Sequence, residues 1–200
     1  MYTHEAPLLH SLPKDVIRQI LDACRSLSAG VPVLCGFHHI YYPENDNAAM
    51  QHEIRRYYRD PQVVPYDDLY AVDEPILKVA LCDTNGPTKE AYPVMHEALG
   101  DAYELLISGD CWMDIMCKGV TKGAALQGLQ ERMGITPAET MAFGDYDNDI
   151  SMLQHAEFSY AMENASERVR QQAKHIAPAN TKNGVVRVLC ETLGIHMESL

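Results

Sequence analysis

Beyond Lys118-Gly119 the sequence alternates regularly between helix-like and strand-like segments up to its C-terminus. Thr121 opens a helix that Gly134 ends. The apolar face of this helix is expected to consist of Ala125, Leu126, Leu129 and Met133. The further predicted segments are the strand 140–143, the helix 147–155, the strand 158–162, the helix 166–174, the strand 175–177 and the helix 183–193. Such alternation predicts a parallel sheet with crossover helices, which is a doubly wound α/β arrangement.

The N-terminal part mixes helices and strands without this regularity. A helix from Ser11 is predicted by the helical spacing of Val16, Ile17, Ile20, Leu21, Cys24 and Leu27. The other predicted segments are the strands 31–35 and 37–42, the helix 48–58, the strand 76–82, the helix 88–99 and the strands 103–107 and 111–116. The change of pattern predicts two domains, residues 1–113 and residues 114–200.

Charge and composition exclude several classes of partner. The 200 residues carry 16 basic and 28 acidic side chains, and their formal net charge of -12 repels nucleic acids and anionic membranes. No apolar run is long enough to span a bilayer. The six cysteines form no Cys-x-x-Cys pair. We therefore expect reduced thiols in a cytoplasmic protein.

Acidic residues cluster in the loop 144–149, Gly-Asp-Tyr-Asp-Asn-Asp. The loop follows a predicted strand, and in doubly wound sheets binding sites lie beyond the carboxyl ends of the strands. Hard cations such as Mg²⁺ take oxygen ligands of this kind. A calcium-binding EF-hand loop is excluded, because Ile150 and Ala156 stand where it needs Gly and Glu. A structural alternative stays open, in which Asp147 or Asn148 caps the next helix.

Four sequence blocks match a known family in content and in order. They are Lys118-Gly119-Val120-Thr121-Lys122-Gly123-Ala124-Ala125, Gly144-Asp145-Tyr146-Asp147-Asn148-Asp149-Ile150-Ser151-Met152-Leu153, Ala161-Met162-Glu163-Asn164-Ala165 and Asn183-Gly184-Val185. Together they resemble the Cof-like branch of the haloacid dehalogenase (HAD) superfamily, over about residues 113–193. The preceding part is similar to the α/β cap domain of that family in its order of elements.

The resemblance implies a two-part α/β fold. Residues 1–113 would form the α/β cap domain, which sets substrate specificity. Residues 114–200 would form a partial doubly wound (Rossmann-like) HAD core. In the cap-like part, Tyr41-Tyr42 and Tyr57-Tyr58 either pack against their own helices and strands or contact a sugar or ring of the ligand.

The resemblance also implies a metal and a set of site residues. Asp145 would hold Mg²⁺, with Asn148 and Asp149 as further metal ligands or as supports of its waters. Lys122 and Asp149 would be the catalytic residues, with Lys122 stabilising the phosphoryl oxygens. Asn164 would bind the substrate together with Lys122. Taken without this context, Lys122 is an ordinary surface lysine and Asn164 an ordinary turn residue.

The nucleophile motif of the family is missing from this sequence. Members carry an early strand ending in Asp-x-Asp-Gly-Thr, whose first Asp attacks phosphorus and whose second acts as general acid and base. Asp83-Thr84-Asn85-Gly86 imitates this motif, but its position before the lysine block and its composition favour a turn. Without the missing strand the core would expose apolar edges. We therefore expect a homo-oligomer that covers the incomplete core, a rearranged core or poor stability.

The leading interpretation is a Mg²⁺-dependent phosphatase that acts on a small phosphorylated metabolite, such as a sugar phosphate. For want of the nucleophile, the 200-residue chain is expected to be inactive. The alternative is a degenerate, non-catalytic module that binds a small molecule or a protein. The first fits a truncated or mis-started product of an ordinary phosphatase, and the second fits a true degenerate relative.

Overall fold

A computed structural model of the protein describes residues 10–87 and 89–195. The chain divides into two compact units, Met1–Val120 and Thr121–Leu200. The division falls later than the expected boundary after residue 113, because the strand Trp112–Cys117 pairs with strands of the first unit. Within the described ranges, every helix is too short or too polar to cross a bilayer.

The first unit is built on one mixed sheet. Its described α-helices are α1 (Lys14–Cys24), α2 (Ala48–Tyr57) and α3 (Ala91–Leu99). Its strands are β1 (Gly30–Gly36), β2 (Ile40–Pro43), β3 (Gln62–Val64), β4 (Ile76–Asp83), β5 (Tyr103–Gly109) and β6 (Trp112–Cys117). They lie in the order β3-β2-β1-β4-β6-β5, and only β2 and β3 pair in parallel.

The two faces of this sheet are covered by different helices. Alternate side chains of a strand point to opposite faces. In β4, Val79 and Leu81 pack in the core that α1 and α3 cover. The intervening Ala80 and Cys82 pack on the other face, where Ile54 of α2 covers them. The central strand is therefore apolar on both sides, which explains its almost continuous apolar sequence.

The apolar face predicted for the first helix is confirmed. The residues of α1 that are buried are Val16, Ile17, Ile20, Leu21 and Cys24. Each large apolar side chain of this kind stabilises the fold by roughly 1.5–3 kcal/mol on burial. The helix begins at Lys14, after Pro13, whose fixed φ suits the start of a helix.

Sequence patterns missed two elements between α2 and β4. One is β3, whose three residues pair in parallel with β2. The other is a 3₁₀ helix, Tyr66–Ala71, which buries Leu69. Both are short, and a three-residue strand is stabilised by its distant partner rather than by its own sequence. The start predicted for the helix 88–99 includes Thr88, which lies outside the described residues.

The second unit is a small parallel sheet with crossover helices. Its described α-helices are α4 (Lys122–Met133), α5 (Ile150–Gln154), α6 (Glu167–Arg170) and α7 (Gly184–Leu193). Its strands are β7 (Met141–Gly144), β8 (Phe158–Met162) and β9 (His175–Ala177). They lie in the order β7-β8-β9, and both pairings are parallel. The parallel arrangement predicted for this part is confirmed.

The apolar face predicted for α4 is wrong. Of that face, the exposed residues are Ala125, Leu129 and Met133. The helix buries Gln130 instead, whose Nε2 donates to Thr140 Oγ1 at 2.8 Å and to the His155 carbonyl at 2.9 Å. A polar side chain with two good hydrogen bonds is stable in the interior. Polar contacts therefore orient α4, and its apolar pattern does not.

The tight connection between β1 and β2 is organised by Glu74. Its side chain is only 10% exposed. Its carboxylate accepts from the His38 backbone N–H at 2.6 Å and from the Tyr41 hydroxyl at 2.7 Å, and His39 Nδ1 lies 3.2 Å away. Burial opposes ionisation, but these hydrogen bonds outweigh it and hold the pKa of Glu74 below its usual value. The fold therefore stabilises the ionised form of Glu74.

We predict that Glu74→Gln lowers the free energy of unfolding by about 1–3 kcal/mol at neutral pH, because the His38 N–H and the Tyr41 hydroxyl lose a charged acceptor. The folded-state pKa lies below the unfolded-state pKa, so the contribution is present above the unfolded-state value and disappears as pH falls through the folded-state value.

Urea unfolding of the wild type and the variant, from neutral pH down to about pH 3, measures this difference. The difference should shrink in acid. The matched control is Asp73→Asn, which changes an exposed neighbour paired with Lys14 and should alter stability little. A difference that stays constant over the whole pH range would contradict the role given to the Glu74 carboxylate.

Candidate active site

The acidic loop lies at the edge of the second sheet where its parallel strands end. β7 ends at Gly144, which pairs with Ala161 of β8. A 3₁₀ turn, Asp147–Asp149, then leads into α5, so the helix predicted from residue 147 begins as a tighter turn. Asn164 follows the end of β8. The carboxyl ends of two neighbouring strands thus bring the loop and Asn164 together, as the doubly wound topology predicts.

Asp149 connects the elements of this site. The residue is 5% exposed. Its Oδ2 accepts from the backbone N–H groups of Asp145 at 2.9 Å and Tyr146 at 3.2 Å. Its Oδ1 accepts from Lys122 Nζ at 2.5 Å. Both oxygens of a nearly buried carboxylate are therefore satisfied, which removes most of the penalty for burying the charge.

Two glycines permit this close packing. A Cβ at Gly144 would lie 2.4 Å from the Cβ of Asp149. A Cβ at Gly123 would lie 2.5 Å from the carbonyl oxygen of Ser151. Both distances are far shorter than van der Waals contact, so any larger residue would displace the neighbouring backbone or side chain. Close packing thus explains why glycine stands at these two positions of the matched sequence blocks.

Lys122 is positioned by the start of α4. Thr121 caps the helix, because its Oγ1 accepts from the Ala124 N–H at 3.1 Å. The Gly123 N–H donates to Ser151 Oγ at 3.1 Å, which joins the first turn of α4 to α5. The Lys122 side chain is still 51% exposed. One N–H of its ammonium thus donates to Asp149, and the other N–H groups can donate to a ligand.

The Asp145 carboxylate is less constrained than that of Asp149. Burial, and then the negative charge of Asp149, raise the pKa of Asp145 above its ordinary value, while the Asn164 amide and Lys122 act in the opposite direction. Among the described residues, the Asn164 amide donates to it over a long 3.4 Å. Asn164 is itself held by its Oδ1, which accepts from the Asn180 N–H at 3.1 Å. The Asp145 carboxylate would be stabilised by a nearby cation.

The oxygen atoms of the loop suit Mg²⁺, which keeps several water ligands, better than a metal ion whose ligands all come from the protein. Among the described residues, no group of three or more His, Cys, Asp or Glu side chains is arranged to hold a metal. Mg²⁺ commonly takes one or two carboxylates and completes its shell with waters and a substrate phosphate. The Oδ1 atom of Asn148 is buried without a hydrogen-bond partner. A cation or an ordered water is the usual partner of such an oxygen.

Sequence reasoning missed three residues around the site. Ser151 Oγ accepts from the Gly123 N–H and so holds the helix that carries Lys122. The Asn180 N–H donates to Asn164 Oδ1 and so holds the Asn164 side chain. Arg168 Nη1 lies 2.7 Å from Asp147 Oδ2. Ser151 falls inside a matched block, which could have signalled it. No pattern singled out Asn180 or Arg168, because their contacts depend on how separate loops meet.

The segment that imitates a nucleophile motif forms a turn in the first unit. Asp83 ends β4 and is fully buried. Its Oδ1 accepts from the Asn85 N–H at 2.9 Å, and its carbonyl accepts from the Gly86 N–H at 3.0 Å. Gly86 has a φ of 94°, which favours glycine. The turn expected from this composition is confirmed.

Similarity to known proteins agrees with this geometry. The chain matches the haloacid dehalogenase-like hydrolase family over residues 2–189. It is 30% identical over 182 residues to the 5-amino-6-(5-phospho-D-ribitylamino)uracil phosphatase YbjI of Escherichia coli K12, covering 91% of this chain and 66% of that protein. It is 27% identical over 188 residues to the phosphatase YitU of Bacillus subtilis 168, which is named for the same activity, covering 90% of this chain and 67% of that protein.

Solved structures share the fold. A protein from Streptococcus mutans UA159 has a TM-score of 0.82 and 26% identity, over 92% of this chain and 69% of that one. The chain belongs to the haloacid dehalogenase-like hydrolase family. Its predicted place in the Cof-like branch and its predicted fold class, an α/β cap with a partial Rossmann-like core, are confirmed. The chain spans about two thirds of the length of the curated phosphatases it matches.

We predict that Gly144→Ala lowers the free energy of unfolding of the second unit by about 1–3 kcal/mol, because the new methyl group displaces Asp149. The matched control is Gly128→Ala in α4, where an added Cβ meets nothing within 4 Å. This control should be neutral or stabilising by up to about 1 kcal/mol, because alanine favours helix. Thermal unfolding of both variants checks the prediction, and equal destabilisation would refute it.

Proposed function

We propose that this chain is the phosphate-handling part of a Mg²⁺-dependent phosphatase for a small phosphorylated metabolite. One observation carries the proposal. The half-exposed ammonium of Lys122 lies on the nearly buried Asp149, which also holds the backbone of Asp145. The Lys122 ammonium and the Asp145 carboxylate, a potential metal ligand, are thus held near each other at the end of a parallel strand. Phosphoryl oxygens can be bound at such a position.

Each residue of the site has a proposed role. Asp145 and the Oδ1 of Asn148 would be ligands of Mg²⁺, and Asp149 would hold these ligands and the metal-bound waters in place. Bound Mg²⁺ would neutralise charge on the phosphoryl oxygens. Lys122 would donate to the same oxygens while Asp149 keeps it in position. Asn164 would hold the Asp145 carboxylate in orientation and contact the substrate.

A phosphorylated polyol joined to a pyrimidine is our candidate substrate. Two relatives, YbjI and YitU, are named as phosphatases of 5-amino-6-(5-phospho-D-ribitylamino)uracil. This molecule is a small phosphate ester of a sugar alcohol, within the class predicted from the sequence. With a formal net charge of -12, the chain should not bind nucleic acids. We also propose a cytoplasmic location, which six free cysteines support.

The expected homo-oligomer remains a proposal. Among the described residues β7 pairs with β8 alone, so its other edge is open. Met141 and Phe143 of β7 are only partly buried. An open edge beside apolar side chains promotes pairing between chains. We propose that a second copy of the chain covers this edge.

We predict that Asp145→Asn weakens Mg²⁺ binding at least about tenfold, because the ionised oxygen is lost. Asp147→Asn is the matched control: it removes the same charge from the same loop, but Asp147 pairs with Arg168 instead. It should keep nearly the wild-type affinity. Isothermal titration with Mg²⁺ measures both variants. Equal losses would show that only the overall charge of the loop attracts the ion, and would overturn the site.

Inorganic phosphate distinguishes the phosphatase from a simple binding module in the same titration. If the site handles phosphate, Mg²⁺ should bind more tightly when phosphate is present, and Lys122→Met should remove this coupling. Lys174→Met is the control, because Lys174 pairs with Glu157 on the surface. Mg²⁺ binding without any coupling to phosphate would favour the degenerate module.

We further predict that the 200-residue chain does not hydrolyse p-nitrophenyl phosphate in the presence of Mg²⁺, since its sequence contains no Asp-x-Asp-Gly-Thr motif. The measurement compares the release of p-nitrophenol by the wild type and by Asp145→Ala with the rate in buffer. Turnover by the wild type that Asp145→Ala abolishes would refute the expected inactivity. Turnover that depends on Asp83 would give the buried turn a catalytic role.

A further inference from the structure

A charged pair lies on the face of the first sheet that α2 partly covers. Lys78 Nζ of β4 is 2.9 Å from Asp114 Oδ1 of β6. β4 and β6 are neighbouring central strands, and Ala80 is paired with Asp114. The Asp114 side chain is 10% exposed and that of Lys78 is 32% exposed. One charge is therefore nearly buried, and the other reaches solvent.

This pair is an expensive way to stabilise a sheet. Taking the Asp114 charge almost out of water costs free energy that its attraction to Lys78 often fails to return. The neighbouring positions on this face include the apolar Val33 and Ala80, and the Cys35 thiol and Tyr58 hydroxyl also lie near the pair. Asp114 is the only hydrogen-bond partner of the Lys78 ammonium among the described residues. The ammonium thus keeps donors free for a ligand.

The surroundings of the pair suit a flat ring. Leu106 is the register partner of Asp114, and Leu106 and Met116 are only partly buried. α2 covers the β1–β4 side of this face, whereas α1 and α3 pack on the opposite face. In the described part of the unit, the β5 side therefore has no helix over it. Tyr57, 60% exposed, stands at the end of α2 with its ring 5.7 Å from that of Trp112.

We propose that Lys78 and Asp114 bind a planar heterocycle that presents a carbonyl oxygen beside a ring N–H, as uracil does. Lys78 donates to the carbonyl oxygen, and the free acceptor capacity of Asp114 takes the ring N–H. Leu106 and Met116 contact the ring face. A phosphate group is the wrong ligand here, because the Asp114 carboxylate repels it. The choice of a uracil ring rests on the proposed function, whereas the donor–acceptor pattern rests on the pair itself.

The probe is 6-(D-ribitylamino)uracil, which carries no phosphate and so needs neither Mg²⁺ nor a nucleophile. Isothermal titration of the full chain should show binding, and Lys78→Met and Asp114→Asn should each weaken it about tenfold or more. Lys14→Met is the matched control, since Lys14 forms a comparable pair with Asp73 on an exposed surface. This control should bind like the wild type.

A second ligand tests the contact without relying on a mutation that disturbs the fold. The N3-methylated probe should bind the wild type about tenfold more weakly than the parent compound, because its ring N–H is lost. Asp114→Asn should discriminate less between the two compounds. A purely structural pair would leave this discrimination unchanged. No binding by the wild type, or equal binding of both compounds, would overturn the proposal.

Mg²⁺ titration separates this proposal from the proposed function. Lys78→Met should bind Mg²⁺ with the wild-type affinity, because Lys78 belongs to the first unit and the loop 144–149 to the second. Failure of the ring to bind with Mg²⁺ binding intact would reject only the ring site. Failure of Mg²⁺ binding with ring binding intact would reject only the proposed phosphate site.

Discussion

The burial of the Asp149 carboxylate is the constraint on which the site depends. A charge that is 5% exposed must find donors for both of its oxygens. It finds them in the loop backbone and in Lys122, so the end of β7, the turn before α5 and the start of α4 are held together. The close approach then leaves no room for a Cβ at Gly144. One desolvated group thus fixes both the backbone and the cation.

Asp145 and Asp149 have different physical states, and this difference indicates different roles for the two carboxylates. Asp149 is saturated with donors, so it acts by holding other groups in place. Asp145 has one long contact to Asn164, and its pKa is raised by burial and by Asp149. A carboxylate in that state gains most from a cation. We therefore infer that Asp145 is the principal metal ligand and that Asp149 organises it.

The sequence allowed the local features to be predicted, but not those set by distant contacts. The face of α1 and the turn at Asp83 follow from spacing and composition, and both agree with the structure. The face of α4 does not, because the buried Gln130 outweighs the apolar pattern through contacts made far along the chain. Asn180 and the Lys78–Asp114 pair were missed for the same reason. Single residues on separate elements carry no periodic signal.

Charge also indicates why the proposed phosphate site would need a divalent ion. In the described part of the chain, Lys122 and Arg168 are the cations that pair with carboxylates of the loop, which are those of Asp145, Asp147 and Asp149. The chain as a whole has a formal net charge of -12. A phosphate dianion approaching this surface meets net repulsion, which one shared ammonium does not overcome. A bound dication would reverse the local sign, so we propose that the acidic loop attracts phosphate only after it has bound metal.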